Sequence, residues 1–384
     1  MSVITRKLRT FQRVARAGGA RGVASALSDS ATRGYDEARH AREVLAARVR
    51  HGRPRMLLTF RGGIGDDMLC TILLRELRRR GFGPVWMLSK YPDLYELNDD
   101  VPVVLDWGKP YERWLERLGL QVLNARYFTY DEADDRAVRL APEQHMVATM
   151  CQLVGIVGPI VRRPYLFLRD EELAAGALVP DQIAIQSSGL VSITPMQNKQ
   201  WFTERFQEVV TALRSEFNFV QLGSPTDPPL EGVLDLRGRT TRRQSAAIIR
   251  RSLTYVGNVG FGMHLARAVE RRAVIVYGGR ERPDQSGYSD HENLYTNVPC
   301  SPCWRRNACD FDRRCMRQIT AADVVAAVRR ALARYDEPLA VDTDDVPAGP
   351  LLPPGRDGRP RLSVTTPRGI TRIIEAKVLA GSAG

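Results

Sequence analysis

A carboxylate at the mouth of a glycine-rich turn can take a proton from a hydroxyl held against that turn, and FRGGIGDDML at residues 60–69 offers two, Asp66 and Asp67. The apolar run Met56-Leu57-Leu58 leads into it, and Gly62, Gly63 and Gly65 permit a tight turn and close approach of a substrate. The stretch is not a P-loop, because no Gly-Lys-Ser/Thr follows, and its spacing is not that of the dinucleotide fingerprint. Its backbone N–H groups suit an anion, but a carboxylate beside them would repel a diphosphate. Two readings stand. Asp66 or Asp67 caps the following helix, or Asp66 is aimed into a cleft as a general base, with Arg61, Gly63 and Gly65 on the acceptor side.

Two further strand–loop–helix junctions suit the opposite charge. In SITPMQNKQWF (192–202) Thr194 and Lys199 occupy a loop before the helix that Trp201 opens, where a lysine either meets phosphate oxygens or is merely solvated. In GNVGFGMHLARA (257–268) Gly260 and Gly262 free the backbone at a helix start and His264 falls in its first turn. The positive end of a helix dipole there favours a diphosphate. Thr240 and Thr241 begin the preceding helix and are weaker candidates for contact with a nucleotide. One carboxylate and two anion-suited helix starts fit a reaction in which a nucleoside diphosphate leaves as an acceptor oxygen attacks, with fixed cations and backbone dipoles in place of a catalytic metal.

A fourth feature is PCSPCWRRNACDFDRRCM (299–316), with Cys300, Cys303, Cys309 and Cys315 spaced C-x2-C-x5-C-x5-C. Thiolates this dense suit a tetrahedral zinc or iron ion, the alternative being four free thiols. No acid or general base lies among the four, so a metal here is expected to be structural. Arg305, Arg306, Arg313 and Arg314 either face the cleft or are solvated. Cys70 and Cys151 stand alone in apolar helical context.

The elements that must position these residues alternate. RMLLTF reads as a strand and DDMLCTILLRELRRRGF as a helix, with acids at its start and bases in its last turn. PVWML, VPVVL and QVLNARYF are further strand candidates, and EQHMVATMCQLVGI is a helix. GPIVRRPYLFL (158–168), with two prolines, reads as the connection between domains. A second set follows: strands at 183–189, 219–224, 253–258 and 273–279, helices at 201–216, at 241–252 and from about 262. Two successive βα runs imply two doubly wound, Rossmann-like α/β domains, with ligands beyond the carboxyl ends of the strands and the active site in the cleft between. The expected organisation is a basic helical extension (1–54), an acceptor domain (55–168), a nucleotide-sugar domain (169–337) carrying the cysteines, and a Pro-rich linker with a small appendage (338–384). One more amphipathic helix is expected over 321–334.

Charge is uneven in the chain of 384 residues. Its formal net charge is +12, and residues 1–55 hold 13 Lys/Arg against 4 Asp/Glu, so the remainder is nearly neutral. That argues against nucleic acid as partner of the whole chain. Residues 1–50 read as a basic amphipathic helix lying on an anionic membrane, or as an ordinary surface or oligomer-contact helix, with an Arg-rich, acid-poor transit peptide as a weaker third reading. No stretch approaches a membrane span of ~20 apolar residues, and no signal peptide is legible. The expected location is therefore the cytoplasm, with peripheral contact at the inner face of the membrane. The sequence does not fix the oligomeric state.

Taken together, Gly65-Asp66, Thr194-x4-Lys199-x-Trp201, GNVGFGMHLA (257–266) and the Cys-Ser-Pro-Cys cluster closing on Cys315-Met316 resemble, in order, motifs of glycosyltransferase family 9, the ADP-heptose:lipopolysaccharide heptosyltransferases. The likeness runs from about residue 55 to about 335. It implies the two-domain glycosyltransferase-B fold and an inverting transfer with Asp66 as base. It further implies donor contacts at Thr194, Lys199, Asn258, Gly260, Gly262, Met263 and His264. The implied donor is an ADP-heptose-type nucleotide sugar, and the implied acceptor is the lipopolysaccharide core or another surface glycan. Longer relatives with an iron-binding cysteine finger act on autotransporter proteins, which makes a protein the alternative acceptor. Val259 stands where the family has an aspartate, which leaves the donor sugar open and admits a catalytically inactive scaffold as a further alternative.

Overall fold

The structure is a computed structural model and describes residues 38–60, 62–106, 122–127, 129–130, 138–140, 142–191, 195–347, 361–365, 371–375 and 379–380. Arg61, Thr194 and most of the basic N-terminal segment lie outside these residues; of that segment, residues 38–51 form a helix.

The front half is built on a parallel sheet of β1 (Met56–Thr59), β2 (Val85–Ser89), β3 (Val104–Asp106) and β4 (Val122–Asn124), in the order β3-β2-β1-β4. Every residue of β1 and β2 is buried. This is why they read as continuous apolar runs, since a parallel sheet is covered on both faces. The helix Ile64–Arg79 leaves β1 with Asp66 and Asp67 in its first turn and Arg78 and Arg79 in its last, so charge and helix dipole agree at both ends. A short antiparallel pair, β5 (Thr129–Tyr130) and β6 (Val138–Leu140), precedes the helix Met146–Leu153.

The next strand, β7 (Ile156–Val161), corrects the sequence reading. The stretch expected to be only a connection begins as a strand, and its partner is β14 (Thr343–Val346), which lies in the segment expected to be a loose linker. Val161 pairs with Thr343 and Gly158 with Val346, antiparallel. Strand β17 (Leu379–Ala380) joins the other edge of β7, and β15 (Arg361–Thr365) pairs with β16 (Thr371–Glu375). The crossing is anchored at Asp342, which accepts the Ser289 N–H at 3.0 Å and pairs with Arg162 at 3.5 Å and Arg267 at 3.6 Å.

The back half is a six-stranded parallel sheet of β8 (Gln182–Gln186), β9 (Asn218–Gln221), β10 (Leu234–Asp235), β11 (Thr254–Asn258), β12 (Ala273–Gly278) and β13 (Glu292–Tyr295). Its order is β10-β9-β8-β11-β12-β13. In each sheet the chain first adds strands to one side of its first strand and then moves to the other side, so order reverses between β1 and β4 and between β8 and β11. A crevice opens beyond the carboxyl ends of the strands at such a reversal, and that is where ligands bind in doubly wound sheets. The two halves meet through packing of the helix Ile64–Arg79 on the helix Phe261–Ala268. Arg242 adds a fork on Asp93, closest at 2.7 Å.

Candidate active site

A cleft of about 500 Å³ lies at both order reversals, lined from the front half by the turn Gly62–Asp66 after β1 and by Arg126 and Tyr127 after β4. The back half lines it with Gln186 at the end of β8 and Ser188 and Gly189 beyond it, with Lys199, and with Asn258–Gly262 at the end of β11.

On the front wall the two sequence readings of Asp66 prove compatible. One carboxylate oxygen, Oδ2, accepts the Gly63 N–H at 3.1 Å and so caps the helix, while the other, Oδ1, accepts the Tyr127 hydroxyl at 2.7 Å. The residue remains on the cleft surface. Burial raises its pKa above the usual carboxylate value, against the opposing pull of the Tyr127 hydrogen bond, the Lys199 charge and the Gly63 amide. Asp67 turns the other way. It is 2% exposed, accepts the Ser89 hydroxyl at 3.0 and 3.1 Å together with the Tyr95 hydroxyl, and is lifted by burial to about 7. Asp66 is therefore the carboxylate the cleft presents. The turn must be glycine at position 62, where a Cβ would lie 2.2 Å from the Phe60 ring.

On the back wall Lys199 ends the short turn Gln197–Lys199, and its Nζ pairs with Glu281 Oε1 at 2.7 Å. The other Glu281 oxygen accepts from Arg280 at 2.8 Å. Burial lowers the Lys199 pKa, with Glu281 opposing. Burial pushes the Glu281 carboxyl up, but Lys199 and Arg280 outweigh it and hold it below its ordinary value. The trio thus carries a net positive charge, fixed in place. Beside it the helix Phe261–Ala268 begins at Gly260, where a Cβ would meet nothing within 4 Å. The first amide groups of this helix have no intrahelical acceptor and form the positive end of its dipole. His264 in the first turn is buried and held neutral, its pKa lowered to about 3 by desolvation, with Nδ1 2.8 Å from the Tyr288 hydroxyl. Gly65 brings the two helix starts together, since a Cβ there would be 3.1 Å from the His264 ring and 3.5 Å from the Phe261 backbone. A carboxylate on one helix start thus faces the positive end of another across a narrow gap.

Not every expected residue reaches this cleft. Thr241 is the N-cap of the helix Arg242–Arg251, its hydroxyl accepting the Gln244 N–H at 3.1 Å, and Thr240 bonds Ser245 at 2.9 Å; neither lines the cleft. Met263 is fully buried, its sulfur 3.1 Å from the Tyr277 hydroxyl. Asn258 lines the cleft, but its Oδ1 accepts the Trp201 N–H at 3.1 Å, tying the Lys199 turn to β11. Gly262 is there for packing, because a Cβ would fall 2.0 Å from the Tyr255 hydroxyl. Val259 is 6% exposed and lines the cleft where the resemblance expects an acid. Sequence reasoning missed Tyr127, Glu281 and the lining carboxylate Asp227. Tyr127 and Glu281 follow the carboxyl ends of β4 and β12, a position that singles out ligand-facing residues in such sheets.

The four cysteines line one second cavity of about 400 Å³ and none is in a disulfide. Cys309 Sγ accepts the Arg313 N–H at 3.3 Å, and backbone amides also reach Cys303 and Cys315, whose pKa values burial raises. Sulfur accepting backbone N–H is the donor chemistry of a thiolate site. Among the described residues, however, no group of three or more His, Cys, Asp or Glu side chains is set at metal-holding geometry.

Two facing Rossmann-like sheets with a cleft at their order reversals define the glycosyltransferase-B fold. Solved structures share it: a glycosyl transferase of family 9 from Veillonella parvula (15% identity, 73% of this chain and 97% of that one, TM-score 0.55) and the E. coli ADP-heptose lipopolysaccharide heptosyltransferase II (16%, 73% and 99%, TM-score 0.54). A third is the iron-containing dodecameric glycosyltransferase TibC of enterotoxigenic E. coli (16%, 73% and 76%, TM-score 0.56). At these identities the likeness is one of fold. Comparison with family models and with curated protein sequences finds no match.

Proposed function

We propose that the protein is an inverting glycosyltransferase that moves a sugar from a nucleoside-diphosphate donor to a hydroxyl acceptor. The observation that carries this reading is the Asp66 carboxylate facing Lys199 and the start of the helix Phe261–Ala268 across one cleft. Asp66 accepts the proton of the acceptor hydroxyl, and the freed oxygen attacks the anomeric carbon. The bond from that carbon to the diphosphate breaks, its electron pair leaving with the diphosphate, and the new bond forms on the opposite face, inverting the centre. Lys199 and the backbone amides after Gly260 receive the charge that develops on the departing phosphate, so no metal is required for it. The raised pKa of Asp66 makes it a stronger base than an exposed aspartate.

The fold neighbours and the motif order support an ADP-heptose-type donor, and a surface glycan such as the lipopolysaccharide core as acceptor. The cysteine cavity, together with a fold neighbour that contains iron, supports a structural zinc or iron held by Cys300, Cys303, Cys309 and Cys315, with a protein acceptor as the second choice. Val259, where the resemblance expects an aspartate, leaves the donor sugar open, with a transferase for a different nucleotide sugar as the alternative. We place the enzyme in the cytoplasm, with residues 1–50 holding it near an anionic membrane; among the described residues no helix is long and apolar enough to cross one.

The test is a panel of ADP-, GDP-, UDP- and dTDP-sugars scored for binding and turnover, with elemental analysis of the purified protein. One donor should bind and be consumed, and Asp66→Asn should lower turnover at least a hundredfold, consistent with loss of a general base. A folded Asp66→Asn variant with full rate, or a protein that binds no donor, refutes the reading. About one zinc or iron per chain is expected, and its absence from native protein removes the metal.

A further inference from the structure

The cleft and the cysteine cavity share a wall, and consecutive residues of that wall face opposite ways. Asn198 lines the cysteine cavity and Lys199 the cleft; Arg280 lines the cysteine cavity and Glu281 the cleft; Arg305 lines the cysteine cavity and Arg306 the cleft. The wall is stitched by hydrogen bonds between the Lys199 turn and the cysteine loop. Asn198 N–H donates to Arg306 O at 2.9 Å, its Nδ2 donates to Ala308 O at 3.0 Å, and Gln197 N–H donates to Asn307 Oδ1 at 3.0 Å. Arg313 reaches back to Gln200 O at 3.2 Å.

Among the described residues the charged side chains lining the cleft are Asp66, Asp227 and Glu281 and Arg126, Lys199 and Arg306. A diphosphate brings at least two negative charges, which one lysine and one helix start only partly match. Among the described residues the other two lining cations stand on opposite walls. Arg126 follows β4 on the acceptor side, whereas Arg306 shares the back wall with Lys199 and is joined to its turn through the Asn198–Arg306 backbone bond.

Resting on the proposed function, we propose that Arg306 is a second donor-phosphate ligand, carried into the cleft by the cysteine loop. A guanidinium fork matches two phosphate oxygens at once, a geometry an ammonium cannot give. The cysteine loop then sets the position of Arg306 and, through Asn198, of Lys199.

The experiment is isothermal titration of the full chain, as purified, with ADP, GDP, UDP and dTDP. Four proteins are compared: wild type, Arg306→Gln, Arg306→Lys and Arg305→Gln. For the diphosphate that wild type binds, Arg306→Gln should raise Kd roughly ten- to hundredfold, as loss of a charge-assisted pair does. Arg305→Gln, one residue away on the cysteine side, should bind like wild type. Should Arg306→Gln fail to fold, Arg306→Lys carries the test: charge kept and fork lost, it should bind severalfold more weakly. Unchanged binding by Arg306→Gln, or by Arg306→Lys where that variant carries the test, overturns the proposal and leaves the glycosyltransferase reading intact. Equal losses in Arg305→Gln and Arg306→Gln also overturn it, because they report the loop and not the cation. A wild-type protein that binds none of the four removes both.

Discussion

Replacing Glu281 with glutamine removes the charge that holds Lys199 and Arg280 together. The carboxylate is 1% exposed and sits 2.7 Å from Lys199 Nζ and 2.8 Å from Arg280. At an effective dielectric near 20 the closer pair alone is worth about 6 kcal/mol of gross attraction, much of it offset by desolvation. Deleting one partner of such a buried set costs about 3–5 kcal/mol, because the remaining charges stay buried and uncompensated. For a chain of this size that is a fall in Tm of about 5 °C. The same change frees Lys199 for a phosphate, so nucleoside-diphosphate affinity should rise about tenfold, equivalent to ~1.4 kcal/mol. Calorimetric melts with and without nucleotide, and titration of the nucleotide itself, read both quantities. Nucleotide at about a hundred times Kd should return roughly 2.7 kcal/mol of the lost stability. A Glu281→Gln protein that melts with wild type and binds no tighter would refute the view of Lys199 as a tethered phosphate ligand.

Tyr127→Phe removes the hydroxyl that stabilises the ionised form of Asp66, so the acid limb of the kcat/KM profile should move to higher pH while the rate well above it changes little. An unmoved limb would mean that Asp66 is not the titrating base. Asp67 favours its protonated form in the folded state, so its contribution to stability is fully present below the unfolded aspartate value and is lost as pH rises through about 7. Tm measured from pH 5 to 8 should fall across that range, and Asp67→Asn should flatten the slope. Gly262→Ala drives a methyl against the buried Tyr255 hydroxyl and should cost about 1–3 kcal/mol in a denaturant melt.

Much of the architecture was legible because strands buried on both faces read as unbroken apolar runs and each is followed by an amphipathic helix. The β1, β8, β11 and β12 runs carry that signature directly. Strand β14 does not. Its sequence, Thr-Asp-Asp-Val, has no apolar pattern, and only pairing with a distant strand makes it one. The candidate site was legible where chemistry and local geometry coincide, at Asp66, Lys199 and Gly260, all of which line the cleft. It was illegible where the partner comes from afar: nothing near Lys199 in the chain announces Glu281, and nothing near Asp66 announces Tyr127. Thr241 was misread although its signal was present, since Thr241-x-x-Gln244 is a capping box and accounts for the threonine without a ligand.

The late return of the chain to β7 bears on how the molecule is made. A strand completed at Val161 waits for Thr343–Val346, and on its other edge for Leu379–Ala380, to leave the ribosome. Until then it exposes unpaired backbone, a template for pairing with neighbouring nascent chains. Expression of residues 55–168 alone therefore yields an unfinished sheet edge rather than a free-standing acceptor half, and truncation before Asp342 strips the front half of a strand as well as a tail.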